Sequence, residues 1–320
     1  MWQDIKVLDL EITLVAKEDI RLPFFRENAL RSALGSTLLS TMCISPECHA
    51  CEECAVEGLC AYSRLFFLRR KSFSGGSFSS PYVSFFAPHT PKFLSAGMPF
   101  TLYLRLLGSA VSYYPYFYFC LEELARKGIG VRREDGRRGR FVLKRIFAQY
   151  PDGRKVAVFF RETGLQSGEL RPFTLADHID SPEVRLLKLK TLSPLRLKYR
   201  NRLTDRLEFH VLLRAVLRRI SGLYLWTTGR IPGLDYSSLI SRAQTITQVE
   251  NSLSWFDYSR YSTTQGTEMK LGGLVGEVVY QGDLTELYPF IKAGEVLAIG
   301  KGTAFGFGRY KVSVEEAKKG

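Results

Sequence analysis

Gly300, Gly302, Gly306 and Gly308 form a G-x-G-x-x-x-G-x-G run near the end of the sequence, with Lys301, Arg309 and Lys311 in or beside it. Glycine lets a backbone approach a ligand closely, bared N–H groups can cradle a phosphate, and lysine and arginine add charge there. The run has neither the G-x-x-x-x-G-K-[ST] order nor a strand-to-helix G-x-G-x-x-G. A glycine-rich hairpin between two strands therefore stands beside the phosphate cradle as a reading. A second stretch, Cys43-x4-Cys48-x2-Cys51-x2-Cys54-x5-Cys60, has the C-x2-C spacing of a zinc knuckle, and four thiolates can hold one tetrahedral zinc. His49 could compete as a ligand. An iron–sulfur cluster or unliganded thiols are the alternatives. The site is small and loop-like, which suits a structural role.

Two further stretches are basic. Arg126, Lys127, Arg132, Arg133, Arg137, Arg138, Arg140, Lys144 and Arg145 face only Glu134 and Asp135 as opposing charge. An arginine-rich loop turning at Gly136 and Gly139 suits bidentate phosphate contacts; the alternative is a solvated surface turn. In a helix expected over 204–221, Phe209, Leu212, Leu213, Val216, Leu217 and Ile220 make an apolar face, while Arg206, His210, Arg214 and Arg218 recur every four residues on another. Like charges at that spacing repel, a cost that a docked anion would remove. An ordinary solvated face is the other reading. His210, flanked by arginines, is biased toward its neutral form.

Aromatic rings add a possible base-stacking surface. Phe117, in Ser112-Tyr-Tyr-Pro-Tyr-Phe-Tyr-Phe119, sits at core spacing, as does Cys120; Tyr113 and Tyr114 stay open. Trp255-Phe-Asp-Tyr-Ser-Arg-Tyr-Ser262 mixes rings, hydroxyls and Arg260, all useful against RNA.

The elements that must position these residues fit two domains in 320 residues, of which 45% are hydrophobic. The formal charge of +13 points to a polyanionic partner, nucleic acid or an anionic membrane surface; a merely solvated basic surface is the alternative. Apolar runs break well before the ~18 residues of a membrane span, and the N-terminus has no apolar h-region. Five of six cysteines cluster in 43–60, which fits a reduced, cytoplasmic setting better than a distributed disulfide framework.

Period-two alternation predicts strands at 5–14 and 101–106, and helices follow over 24–42 and 112–127, the second ended by Gly128-Ile-Gly130. A short strand at 81–86 and a strand reaching Tyr150 complete the β-α-β-β-α-β order of a ferredoxin-like fold. The order recurs: strands at 187–189 and 195–197, a helix at 204–221, an irregular region around Pro232-Gly233, a strand near 246–256, Gly273 to Tyr280, a helix at 284–292, and Ala304 to Val312. The class is α+β, with domains at 1–172 and 173–320.

Gly272-Gly-Leu-Val-Gly276, a short helix, and Ile299-Gly-Lys-Gly-Thr-Ala-Phe-Gly-Phe-Gly-Arg-Tyr310 together resemble the C-terminal signature of the CRISPR precursor-RNA-processing endoribonucleases of the RAMP superfamily. Leu30-Arg-Ser-Ala-Leu-Gly35, the cysteines, Cys60-Ala-Tyr62 and Leu65-Phe66 resemble that family's cysteine-bearing branch. The resemblance implies two tandem ferredoxin-like domains, with Cys43, Cys51, Cys54 and Cys60 as the structural zinc quartet and Cys48 spare. It implies attack of a ribose 2′-OH on the adjacent phosphate of CRISPR repeat RNA with no metal in the active site. The products would be a 2′,3′-cyclic phosphate and a 5′-OH, and guide RNA would mature from its precursor. Such chemistry needs a base, an acid and positive charge around the phosphorane.

Relatives often carry a catalytic histidine soon after the first helix, with a tyrosine and a lysine nearby. His49 occupies that region, with Arg31, Tyr62 and Lys71 as partners. The chain departs from the pattern in two ways: its first helix has no tyrosine, and His49 lies inside the cysteine loop. His210 is the second candidate; His89 and His178 read as turn residues. The partners implied are repeat RNA and an effector complex, with the chain a monomer or homodimer. Two rival readings stand: a non-cleaving RAMP-type guide-RNA-binding subunit, and a general zinc-containing nucleic-acid-binding protein.

Overall fold

The computed structural model describes residues 1–45, 51–67, 72–73, 76–166, 170–262 and 267–315. It divides into two units: Met1–Asp177 with Trp226–Thr228, and His178–Leu225 with Gly229–Gly320. Among the described residues no helix is long and apolar enough to cross a membrane.

In the first unit, β1 (Lys6–Ala16), α1 (Arg26–Met42), β2 (Tyr82–Phe86), β3 (Pro99–Leu107), α2 (Tyr114–Lys127) and β4 (Phe141–Gln149) follow the β-α-β-β-α-β order, and β5 (Lys155–Phe160) extends one edge. The antiparallel sheet runs β5-β4-β1-β3-β2, so β1 is flanked on both sides. Its alternation explains why. Leu8, Leu10, Ile12 and Leu14 are all under 5% exposed, and burying each stabilises by about 1.5–3 kcal/mol. On the opposite face Asp9 sits across from Arg105 and binds its guanidinium. Leu30, Leu34 and Leu38 of α1, and Phe117, Cys120, Leu121 and Leu124 of α2, close over the inner face. Tyr113 and Tyr114 pack partly buried against that core. Burial pushes the Cys120 thiol up to about 12, and its Sγ reaches the Leu34 carbonyl at 3.3 Å.

In the second unit the elements are β6 (Leu186–Thr191), the short hairpin β7 (Lys198–Tyr199) and β8 (Arg202–Leu203), α3 (Phe209–Thr228, whose last three residues count with the first unit), α4 (Tyr236–Ala243) and β9 (Thr247–Asn251). They continue with β10 (Ser254–Ser262), β11 (Thr267–Val275), β12 (Glu277–Gln281), α5 (Tyr288–Leu297) and β13 (Tyr310–Val314). The sheet β9-β12-β6-β13 repeats the strand order of the first unit, and β10–β11 is a separate hairpin inserted between β9 and β12. Phe209 of α3 meets the Tyr280 ring of β12 edge-on at 5.1 Å, and Tyr310 Oη donates to Ile291 O of α5 at 2.7 Å. The fold is thus a tandem pair of ferredoxin-like units.

Several boundaries differ from expectation for local reasons. The α3 helix starts at Phe209, not 204, because the Thr204 hydroxyl accepts the Arg206 N–H and closes a turn there. It runs on to Thr228, seven residues past 221. Residues 195–197 form only an isolated bridge, Leu195 to Leu274, rather than a ladder strand. The single strand expected at Gly273 to Tyr280 breaks at Gly276 into β11 and β12, and the one expected near 246–256 is β9 plus the start of β10. The last strand begins at Tyr310, not Ala304, because Gly306 and Gly308 turn the chain with positive φ. The last helix starts four residues later than expected, at Tyr288. The irregular region holds α4, capped by Asp235, whose Oδ1 accepts the Ser238 N–H at 3.0 Å.

Candidate nucleic-acid interface

Both glycine motifs of the second unit pack against one extended basic segment, Pro194–Lys198. On one side Leu195 exchanges backbone hydrogen bonds with Leu274 at 2.9 and 2.8 Å. A Cβ on neighbouring Gly273 would lie 2.8 Å from Leu195 O. On the other side Lys301 N–H donates to Arg196 O at 2.8 Å and Gly308 N–H to Pro194 O at 3.0 Å. Gly300 and Gly308 have φ of 83° and 77°, and a Cβ on them would lie 2.6 Å from Arg196 O and 1.9 Å from Ile299 O. Only glycine fits there.

This geometry decides the role of the run. The amides of Lys301, Phe305, Gly306, Phe307, Gly308 and Arg309 already donate to protein oxygens, so they are not bared for phosphate. Arg309 also donates through Nε to Gly306 O at 3.1 Å, which ties it to the loop. Gly300, Gly302, Gly306 and Gly308 serve to hold the loop against Pro194–Lys198, and what the loop offers a ligand is the Lys301 side chain.

Lys301 stands beside Lys198 and Arg218. Partial burial of its ammonium, then these two charges, hold its pKa below the usual lysine value. Among the described residues none of the three has a carboxylate partner. The β7–β8 hairpin carries Lys198, Arg200 and Arg202, all exposed, and turns through Arg200 and Asn201 with φ of 48° and 63°. Its Tyr199 ring meets the His210 imidazole edge-on at 5.3 Å, and the Arg200 guanidinium lies over the Tyr199 ring. His210 Nδ1 is 3.4 Å from Glu208 Oε2, and its Nε2 is buried with no hydrogen-bond partner. Burial lowers the His210 pKa; Glu208 opposes this, and Arg214 and Arg200 reinforce it. The ring is therefore a neutral imidazole at pH 7, able to accept a proton. Arg214 and Arg218 extend the row along α3 on exposed positions, whereas Arg206 lies in the turn before the helix. Arg260 is paired with Met269 in the β10–β11 register.

In the first unit the N-terminal motif residues meet at Phe66. A Cβ on Gly35 would lie 3.0 Å from its ring, Arg31 sits over the ring at 5.7 Å, and Tyr62 stacks on it at 5.7 Å. Arg31 and Tyr62 are thus brought together, while His49 and Lys71 lie outside the described residues. Among the remaining histidines, His89 and His178 are in turns, and His178 Nε2 is 3.9 Å from Glu295. Burial raises the Cys51 thiol, and Cys60, Cys43 and Cys54 raise it further, so the four sulfurs share one neighbourhood. That donor set suits zinc chemically. Among the described residues, however, no three His, Cys, Asp or Glu side chains stand in a metal-holding arrangement.

The arginine hairpin is pinned rather than loose. Glu18 accepts from Arg133 Nη2 and from Arg140 Nε and N–H, and Arg140 followed by Arg133 holds its carboxyl down at about 2. Those two arginines are partly spent on structure. Arg138 Nη1 donates to Gly130 O at 3.0 Å, and Arg132 and Arg137 are exposed. Lys198, Tyr199 and Arg200 are additions that sequence reasoning passed over. The alternation of Leu195 and Leu197 with Arg196 and Lys198, running into an Asn-containing turn, was the available signal.

Two family models match the chain. One, described as AF_1859_N, an N-terminal domain, covers residues 5–171, and the other, CRISPR-associated endoribonuclease Cas6, covers residues 189–310. No curated protein matches the sequence. Among solved structures, a Cas6 product complex aligns with 96% of this chain and 100% of its own, at 13% identity and a TM-score of 0.56. Thermus thermophilus Cas6 aligns over 97% and 99%, at 11% identity and a TM-score of 0.56. A partial Cas6-RT-Cas1–Cas2 complex aligns over 97% of this chain and 46% of its own, at 14% identity and a TM-score of 0.56. At such identities these structures speak for the fold alone, and the family models for the rest: residues 189–310 match the CRISPR-associated endoribonuclease Cas6, behind an N-terminal half that matches the AF_1859_N domain.

Proposed function

We propose that this endoribonuclease cuts repeat RNA by transesterification without a metal ion in its active site. The ribose 2′-oxygen forms a bond to the adjacent phosphorus as its proton passes to a base. The P–O5′ bond breaks as an acid protonates the leaving oxygen, which yields a 2′,3′-cyclic phosphate and a 5′-OH. The observation that carries this reading is Lys301, seated by its N–H on Arg196 O at 2.8 Å within the electrostatic reach of Lys198 and Arg218, with no carboxylate partner for any of the three among the described residues. A bound phosphodiester relieves their mutual repulsion, and charge aimed at a developing phosphorane lowers the barrier.

His49, by its place after α1, and His210, by its neutral ring, are the two candidate bases. Cys43, Cys51, Cys54 and Cys60 would hold a structural zinc. The product would pass to a CRISPR effector complex.

The test is labelled repeat RNA incubated with the protein in EDTA, with product ends resolved and metal content read on the same sample. One cut with a cyclic phosphate is the expected result, abolished by a 2′-deoxy substitution at the scissile nucleotide. Cutting of the deoxy substrate would sink the mechanism. Tight binding with no cut, in protein that retains its metal, would favour a binding subunit.

A further inference from the structure

A cavity of about 500 Å³ lies in the first unit, where the end of α2 meets the arginine hairpin. Arg126, Lys127, Arg132, Arg137, Arg138 and Arg140 line it. Glu18 is the one carboxylate among its described lining residues, and it is already committed to Arg133 and Arg140. Arg126 and Lys127 share Glu123 at 3.5 and 3.7 Å. Among the described residues the guanidinium groups of Arg132, Arg137 and Arg138 have no carboxylate partner, although the Arg137 N–H donates to Asp135 Oδ1 at 2.9 Å, so the pocket holds a standing excess of positive charge.

The walls are built, not incidental. Ile129 N–H donates to Gly139 O at 3.0 Å, Val131 N–H to Arg21 O at 2.8 Å, and Lys17 N–H to Arg140 O at 2.9 Å. A Cβ on Gly128 would lie 2.6 Å from Arg138 O, and one on Gly139 would lie 2.6 Å from Asp19 O. Glycine at both positions lets the hairpin seat against the Lys17–Arg21 segment. Arginine's planar fork is itself pre-organised, so less freedom is lost per hydrogen bond formed, and it matches phosphate geometry bidentately.

The size accommodates a nucleotide-sized fragment. The lining holds no aromatic ring to stack a base. We propose that this pocket docks RNA backbone phosphates independently of sequence, as a second anchor in the first unit while Lys301 and its neighbours serve the second. The proposal rests on the reading that the chain binds repeat RNA. Contacts of this kind position a nucleic acid without specifying it.

The experiment titrates salt against the affinity of Arg132→Ala/Arg137→Ala for repeat RNA carrying a 2′-deoxy block at the cut, and for an unrelated RNA. Each phosphate contact contributes roughly 0.7–0.9 to the slope of log affinity against log salt. The double variant should lose about one to two from that slope and weaken on both RNAs alike, with Arg132→Lys/Arg137→Lys restoring the slope, which counts charge, but only part of the affinity, because lysine lacks the bidentate fork. With cleavable RNA the loss should appear in the concentration needed for half-maximal cutting. An unchanged slope and affinity in a variant that melts like the parent would overturn the anchor, as would a loss confined to the repeat sequence. If the parent protein neither binds nor cuts repeat RNA, the functional reading fails first and the anchor with it.

Discussion

Lys301 N–H donates to the carbonyl of Arg196 at 2.8 Å, and the same Arg196 donates through Nη1 to the carbonyl of Gly272 at 2.8 Å. One residue thus ties the glycine loop before β13 to the glycine pair in β11. The two motifs, far apart in sequence, are halves of one clasp. Their spacing is set by the need to grip Pro194–Lys198 from both sides, and the reward is the placement of Lys301 beside Lys198.

Gly308→Ala should open that clasp. A methyl there would lie 1.9 Å from Ile299 O, at a φ of 77°. Left-handed strain on a non-glycine residue costs about 1–3 kcal/mol before any clash is counted. Thermal unfolding should register a loss of at least about 2 kcal/mol, and repeat-RNA affinity should fall with it. Gly233→Ala is the control: nothing lies within 4 Å of its Cβ position and its φ is ordinary, so its melting should match the parent. Equal melting of the two variants would refute the clasp.

Lys301→Ala separates binding from stability. Its charge is opposed by Lys198 and Arg218 in the free protein, so removing it should leave melting unchanged or slightly raised at low salt. RNA affinity should drop about tenfold or more, the scale of one lost charge-assisted phosphate contact of roughly 1.5–3 kcal/mol. Repeating the measurement at high salt should shrink the difference. Unimpaired binding at low salt would remove Lys301 from the interface.

The fold was legible wherever one periodicity ran uninterrupted. Leu8, Leu10, Ile12 and Leu14 announced β1, and the Leu212–Ile220 face announced α3. Reading failed where side chains close local turns. Thr204 captures the Arg206 amide and delays α3, which removes Arg206 from the helical row of His210, Arg214 and Arg218. The α4 helix has eight residues and lies just after Pro232-Gly233, so composition concealed it although Asp235 is a regular N-cap. For the site, the charge excess found the arginines but could not show that Arg133 and Arg140 are held by Glu18, because that pairing spans more than a hundred residues. The glycine run was open between hairpin and cradle. Its amides are spent partly inside the loop, on Gly302 and Thr303, and partly on the tertiary partners Ser193, Pro194 and Arg196, which no local pattern shows.

Phe66→Ala tests the N-terminal motif. The ring is 6% exposed and is the common surface for Gly35, Arg31 and Tyr62. Truncating a buried Phe costs about 3–5 kcal/mol. Phe66→Leu should retain more than half of that stability yet leave Arg31 and Tyr62 without their platform. If Arg31 and Tyr62 assist His49, cleavage should fall in the Leu variant by more than its melting predicts. Full activity in Phe66→Leu would make Phe66 a packing residue only.

His210 carries the last prediction. Its ring is packed on Tyr199, and the charged groups facing it are Glu208, Arg214 and Arg200. Burial sets its folded pKa below the ordinary 6.5. Between that lowered value and 6.5 the unfolded chain holds more protons than the folded one, so stability rises with pH across this window and is flat in this respect above it. His210→Gln cannot titrate. Relative to that variant the parent should therefore lose stability as pH falls below 6.5 and show a constant difference from 6.5 to 7.5, readable by melting the two proteins side by side. A catalytic part is scored separately. If His210 is the base, single-turnover cutting at saturating RNA should drop by roughly 10²–10⁴ in His210→Gln, and the acid limb of the parent's rate profile should vanish. If the pH-dependent melting difference appears while cutting is retained, His210 holds the β7–β8 hairpin in place and the base is His49. The two readings differ in the rate alone, because the ring's burial fixes the melting behaviour in either case.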